Sequence, residues 1–153
     1  MRVLELKVPP PAVAFVTAVL MWLVSRVVPA FTFIFPARNL FAISLAAVGV
    51  ITGISGVVTF WRARTTVNPM KPQSSASLVI WGVYAVTRNP MYLGGLLILT
   101  GWAIFLSNAL GFLFLPAYIL YINCFQIAPE EKALTSLFGQ EFVAYKSRVC
   151  RWL

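Results

Sequence analysis

The sequence reads as all-α: an integral membrane bundle of about four transmembrane helices with a cytoplasmic connecting loop and an amphipathic C-terminal helix, all in one domain over residues 1–153. Three observations predict this. Hydrophobic residues fill 60% of the positions and charged ones only 10%, with a mean hydropathy of +0.86, whereas a soluble domain carries about a quarter charged side chains. Four apolar stretches approach the ~20 residues that cross a hydrocarbon core. The basic residues, twelve Lys and Arg against four acidic residues for a formal charge of +8, gather on one side of those stretches.

The first two spans occupy residues 1–61. Residues 12–28 form the first, introduced by Pro9, Pro10 and Pro11 and followed by no small-residue cleavage site, so it reads as a retained helix and not a signal peptide. Pro29 and Pro36 mark the turn, and Asn39 is placed to cap the second span, residues 40–61. Residues 62–90 form a long loop with Pro69, Pro72 and the serines 74, 75 and 77, within which residues 78–84 are too few to span and suit an interfacial helix or strand-like cover. In the hairpin region, residues 91–127, Pro90 suits the first turn of the third span (91–106) and Asn89 can cap it. The link Ser107-Asn108 is so short that the fourth span, residues 109–127, must run antiparallel to the third. Residues 128–153 read as an interfacial helix: Ala133, Leu134, Leu137 and Phe138 recur at helical spacing, Gly139 breaks the run, and Lys146, Arg148 and Arg151 supply charge for lipid phosphates.

Placing both termini in the cytoplasm leaves Arg2, Lys7, Arg62, Arg64, Lys71, Arg88, Lys132, Lys146, Arg148 and Arg151 inside and only Arg26 and Arg38 outside, as the positive-inside rule requires. The chain is therefore expected to be a multi-pass membrane protein, with an inner or plasma membrane as the expected host. Its positive charge is matched to anionic lipid headgroups, with no nucleic-acid partner.

Absences narrow the chemistry. With no His and no Asp, only Glu5, Glu130, Glu131 and Glu141 are carboxylates and only Cys124 and Cys150 are thiols. A zinc site, a Ser-His-Asp triad and a two-metal carboxylate cage all lack ligands or base, so no metal is expected. The cysteines sit far apart, one in an apolar run and one in a basic tail, which argues against a structural disulfide.

Two constellations remain. Ala42, Ala46, Gly49, Gly53 and Gly56 fall at steps of four and three, a small-residue groove that admits a neighbouring helix or, near Thr52, Ser55 and Thr59, opens into a pocket. The segment from Gly82 to Gly94 holds Tyr84, Arg88, Asn89, Pro90, Met91 and Tyr92, and the hairpin returns Glu130 and Glu131 beside it. Aromatic belting, an Arg anchor and first-turn acids account for these residues with no ligand. Yet two adjacent carboxylates at the edge of a hydrocarbon layer are costly without cationic partners. S-adenosylmethionine suits this corner: Glu takes its amine, Arg or helix-end amides its carboxylate, and Tyr its ring or sulfonium. Methyl transfer from it is an in-line displacement that positioning and desolvation can drive without His or Asp.

Leu78-Val79, Gly82, Tyr84, then Arg88-Asn89-Pro90-Met91-Tyr92 and Gly94, followed after one hairpin by Glu130-Glu131, Leu134, Phe138-Gly139, Glu141-Phe142, Tyr145 and the closing residues 149–153, resemble the isoprenylcysteine carboxyl methyltransferase and phospholipid methyltransferase superfamily. The resemblance runs from Thr65 onward; residues 1–60 match only as membrane helices. It implies an integral membrane methyltransferase with S-adenosylmethionine as cofactor, the loop being its binding loop, and a lipophilic small-molecule or lipidated acceptor entering from the bilayer. Ser77, Leu78, Val79 and Tyr84 would line the cofactor, Asn89, Pro90, Met91 and Tyr92 would hold its methionine and adenosine parts, and Glu130 would bind it from the fourth helix. Arg88, Glu130 and Glu131 are the candidate catalytic residues. Asn89 stands where many relatives carry His, which removes a titratable imidazole. Gln126 stands where the prenylcysteine enzymes carry Arg, and a neutral amide cannot pair with a substrate carboxylate as Arg does.

The sequence therefore predicts a membrane methyltransferase acting on a prenylcysteine-like carboxylate or a lipid headgroup. The alternative is a non-enzymatic assembly or carrier protein whose Arg and Glu residues only anchor helix ends; a reductase, whose larger architecture needs more than four spans, is a third reading.

Overall fold

A computed structural model of the protein describes residues 5–34, 36–64 and 77–153. The predicted loop residues Pro69, Lys71, Pro72, Ser74 and Ser75, and Arg2, lie outside the described residues. Among the described residues five α-helices follow one another: α1 Pro10–Val27, α2 Arg38–Arg62, α3 Pro90–Leu106, α4 Phe114–Ile122 and α5 Ala128–Arg148. No strand occurs among the described residues. Helices α1 and α2 and the helical run from Ala109 to Arg148 are long and apolar enough to cross a membrane, and α3, with 17 residues, is a shorter apolar helix. At 1.5 Å per residue α3 still extends for ~26 Å. The helical-bundle expectation holds; the helical run is continuous from Ala109 to Arg148 and turns polar in α5.

Helix α3 is the centre. Its Gly94 approaches Gly49 of α2 so closely that a Cβ on either would lie 2.5–2.6 Å from the other's carbonyl oxygen, and a Cβ on Gly101 would lie 2.7 Å from the Ala42 oxygen. The small-residue groove is therefore filled by a helix backbone, which is how such seams bring membrane helices together. The hydroxyls of Thr52, Ser55 and Thr59 bond to carbonyls of their own helix. On the other side of α3, Trp102 donates its indole N–H to the Ala18 carbonyl of α1 at 3.0 Å. Met21, Leu99, Ala103, Tyr118 and Ile122 close the core between α1, α3 and α4. Phe15, Val16 and Trp22 on α1 and Ile43, Ile51 and Ile54 on α2 face outward, the surface lipid would cover.

The joints show where local expectations change. Helix α2 begins at Arg38 after Ala37 in a left-handed conformation (φ 57°), so Asn39 sits inside the first turn and does not cap it. Asn89 does occupy the position before α3, yet its side chain caps nothing there; it donates to the Arg151 carbonyl at 2.8 Å. The link after α3 is made as expected: Ser107 turns left-handed (φ 50°), and the Asn108 side chain accepts from Leu110 N–H while donating to the Val28 carbonyl. Residues 78–84 form no regular element until the 3-10 turn Gly82–Ala85. Both cysteines are free and exposed.

Between α4 and α5 the helix does not stop but widens into a π turn, Asn123–Ile127. Pro129 has no N–H to donate, so the Phe125 carbonyl four residues earlier needs another donor. Leu6 N–H supplies it at 3.0 Å, and the fully buried Gln126 donates its amide to the Val8 carbonyl at 2.7 Å. Gly139 (φ 51°, ψ −125°) kinks α5 where the sequence broke. The helix ends at Arg148, and residues 149–153 leave it as an irregular strap instead of resuming a helix.

Candidate functional site

The hairpin carries the first turns of α3 and α5 to the same end of the bundle. There Tyr92 donates its hydroxyl to Glu130 Oε1, which joins the two sequence blocks. Glu130 stands past the apolar stretch. The residue keeps part of its side chain accessible, but burial of its carboxyl pushes its pKa up to about 8, the Tyr92 hydrogen bond opposing that rise and the neighbouring Glu131 charge adding to it.

Glu131 has the opposite environment. Its carboxylate lies 2.9 Å from Arg88 Nη1, 2.7 Å from Arg151 Nη2 and 3.6 Å from Lys146 Nζ. Burial alone would raise its pKa; the Arg151 hydrogen bond and the three positive charges more than offset this and hold it below the usual carboxylate range. The two adjacent glutamates thus do different work: among the described residues one is met by three cations, the other by the Tyr92 phenol.

Tyr84, on the 3-10 turn, is buried with its ring edge-on to Phe60 at 4.9 Å between centroids. Its backbone carbonyl accepts from Tyr145 O–H at 2.6 Å, and its own hydroxyl has no partner among the described residues. That hydroxyl's pKa is raised, by burial first and then by the Tyr145 and Glu130 charges, which places it within electrostatic reach of Glu130. Arg88 Nε and Nη1 are also buried without an aligned hydrogen bond, although Nη1 is at ion-pair distance from Glu131. Gln126 Oε1, one turn deeper on the same face as Glu130, is a further buried acceptor left open. Buried polar groups are ordinarily paired, so this cluster is a set of donors and acceptors that the described residues leave without partners.

Among the other predicted residues, Pro90 is buried and it and Met91 pack against Gly56 of α2. Val79 is buried, Leu78 is half-buried, and Ser77 donates to the Ala63 carbonyl at the end of α2; none of the three bonds to the Tyr92–Glu130 pair. The reading of Lys146 and Arg151 as charge for lipid phosphates is corrected by their pairing with Glu131. Sequence reasoning missed the strap that brings Arg151 there. Arg88 N–H donates to the Cys150 carbonyl at 3.0 Å, Thr87 Oγ1 and Asn89 Nδ2 donate to the Arg151 carbonyl, and Trp152 donates to Asn123 Oδ1 of the π turn. The only signal for it was the closing residue pattern after Tyr145. No group of His, Cys, Asp or Glu suited to a metal ion occurs among the described residues.

The model of a family described as phospholipid methyltransferase matches residues 37–141. An uncharacterized protein of Haemophilus influenzae is 52% identical over 63 residues, which cover 41% of this chain and all of that one. Protein-S-isoprenylcysteine O-methyltransferase B of Arabidopsis thaliana is 27% identical over 109 residues, covering 71% of this chain and 55% of that protein. Protein-S-isoprenylcysteine O-methyltransferase of Saccharomyces cerevisiae is 30% identical over 130 residues, covering 77% of this chain and 54% of that one. The chain thus spans about half the length of these two named relatives. No solved structure matches it.

Proposed function

Since the chain belongs to the phospholipid methyltransferase family, the match covering residues 37–141, we propose that it is an integral membrane methyltransferase that uses S-adenosylmethionine and acts on a lipophilic acceptor. The observation that carries this is the Tyr92–Glu130 pair, with the buried Tyr84 hydroxyl that no described residue bonds. These residues fit the cofactor. Glu130 is the carboxyl of the pair that no described cation neutralises, and on giving up its proton it takes the ammonium; Arg88 Nε suits the cofactor's carboxylate; the Tyr84 and Tyr92 rings suit the sulfonium.

The cofactor would supply an activated methyl group for in-line transfer to the acceptor, with S-adenosylhomocysteine as the leaving group; an ammonium headgroup would first have to lose a proton. The chain's part is to orient and to exclude water. Tyr92 fixes the Glu130 carboxyl, the core beneath it keeps the site apolar, and Glu131 holds Arg88 in place, a positioning role for a residue the sequence ranked as catalytic. Pro90 and Met91 act through packing on α2, and Ser77, Leu78 and Val79 form the loop side of the site. A neutral Gln126 gives an acceptor carboxylate no counter-charge, which favours a lipid headgroup over a prenylcysteine carboxylate. The excess of basic residues on one side favours both termini in the cytoplasm, with the site opening at the inner rim of an inner or plasma membrane.

Isothermal titration of the detergent-solubilised chain with S-adenosylmethionine and S-adenosylhomocysteine tests the reading. Binding of both is expected; a folded protein that gives heat with neither sinks it.

A further inference from the structure

The strap at residues 149–153 makes several polar contacts with the candidate site. Two of its backbone carbonyls are acceptors for the loop before α3: Cys150 for Arg88 N–H at 3.0 Å, and Arg151 for Asn89 Nδ2 at 2.8 Å and Thr87 Oγ1 at 3.4 Å. Two of its side chains are anchored in turn. The Arg151 guanidinium grips Glu131 with Nε at 3.1 Å and Nη2 at 2.7 Å, and the Trp152 indole N–H meets Asn123 Oδ1 at 3.2 Å. Thr87, itself almost fully buried, also accepts Asn89 N–H at 3.2 Å.

This geometry settles which way the Asn89 amide faces. A carbonyl can only accept, so the group against Arg151 O must be the NH2, and Oδ1 is turned away from the strap. It accepts no bond from any described residue. The same guanidinium neutralises Glu131, leaving Glu130 as the carboxylate free for a cation. Resting on the methyltransferase reading above, we infer that Arg151 is a positioning residue for the cofactor: its side chain locks the strap on Glu131 so that its carbonyl holds the Asn89 amide with Oδ1 presented as an acceptor to a hydroxyl or ammonium of S-adenosylmethionine. The two-pronged contact explains why Arg and not Lys stands here, since only a guanidinium binds a carboxylate through two parallel N–H groups.

The test is cofactor binding by the full-length, detergent-solubilised chain, titrated with S-adenosylmethionine and S-adenosylhomocysteine, for the wild type, Arg151→Ala, Asn89→Ala and the double variant. Each single variant is expected to bind about tenfold more weakly. The double variant is also expected about tenfold weaker and not about a hundredfold, because both changes remove one coupled arrangement. Independent structural damage gives additive losses, so a hundredfold loss in the double variant, or wild-type affinity in Arg151→Ala, overturns the proposal. If Arg151→Ala does not fold, Arg151→Lys carries the test: it keeps the charge but not the paired contact and is expected to bind about threefold more weakly, unchanged affinity overturning the proposal. Absence of binding by the wild type defeats the methyltransferase reading itself, and this inference with it; wild-type binding with indifferent variants defeats the inference alone.

Discussion

Replacing Glu130 by Gln separates a binding group from a helix anchor. The amide still accepts from the Tyr92 hydroxyl but carries no charge. Burial, opposed by the Tyr92 hydrogen bond and reinforced by Glu131, takes the Glu130 carboxyl from 4.5 to about 8. Each pH unit of that displacement is worth about 1.4 kcal/mol, so ionisation costs the folded state at most ~5 kcal/mol above pH 8 and ~3 kcal/mol at pH 7. Between those two pKa values the folded chain binds more protons than the unfolded chain. Wild-type stability therefore falls as pH rises through this window, and the Glu130→Gln protein escapes that fall. Allowing for the accessible part of the residue, the variant is expected to be more stable by ~1–2 kcal/mol at neutral pH, more so towards pH 8, with the advantage vanishing near the ordinary carboxyl value. Thermal unfolding in detergent at several pH values reads this, and titration of the same samples is expected to show cofactor binding weakened at least tenfold. A first-turn acid that merely supports the α5 dipole does the reverse. A lower Tm for Glu130→Gln with cofactor affinity intact would refute the reasoning.

Three further outcomes follow from the geometry. Glu131 has its pKa held down by Arg151, Arg88 and Lys146 despite burial, so its contribution is present above the ordinary carboxyl value and lost as pH falls through the depressed one. Glu131→Gln should therefore cost ~1–3 kcal/mol at neutral pH, because it strands Arg88 at 12% side-chain exposure, and the two melting curves should converge in acid. Tyr84→Phe deletes a hydroxyl that no described residue bonds; the apo protein should keep or gain stability, while cofactor affinity falls several-fold by titration. Gly94→Ala places a Cβ 2.5 Å from the Gly49 carbonyl oxygen, so helix α2 must be pushed away; a loss of ~1–3 kcal/mol is expected from thermal unfolding, and a wild-type Tm would show the contact to be looser than described.

The membrane class, the helix order and the antiparallel hairpin were legible in the sequence because they follow from local quantities: apolar run length, proline and glycine punctuation, and a two-residue link at Ser107-Asn108 too short for any other path. The pairing of the α3 start with Glu130 followed from that hairpin, and so did the closeness of Arg88 to the glutamates. What the sequence left open was which glutamate does which job, since two adjacent carboxylates differ only in what surrounds them. Tertiary structure decided it. The kink at Gly139 and the return of residues 149–153 bring Arg151 and Lys146 to Glu131 and leave Glu130 to Tyr92. The same return takes Asn89 away from capping α3 and onto the Arg151 carbonyl. Partners about twenty and sixty residues away leave no mark in periodicity or spacing, because charge and hydrogen bonding act through space once packing has fixed where each side chain stands.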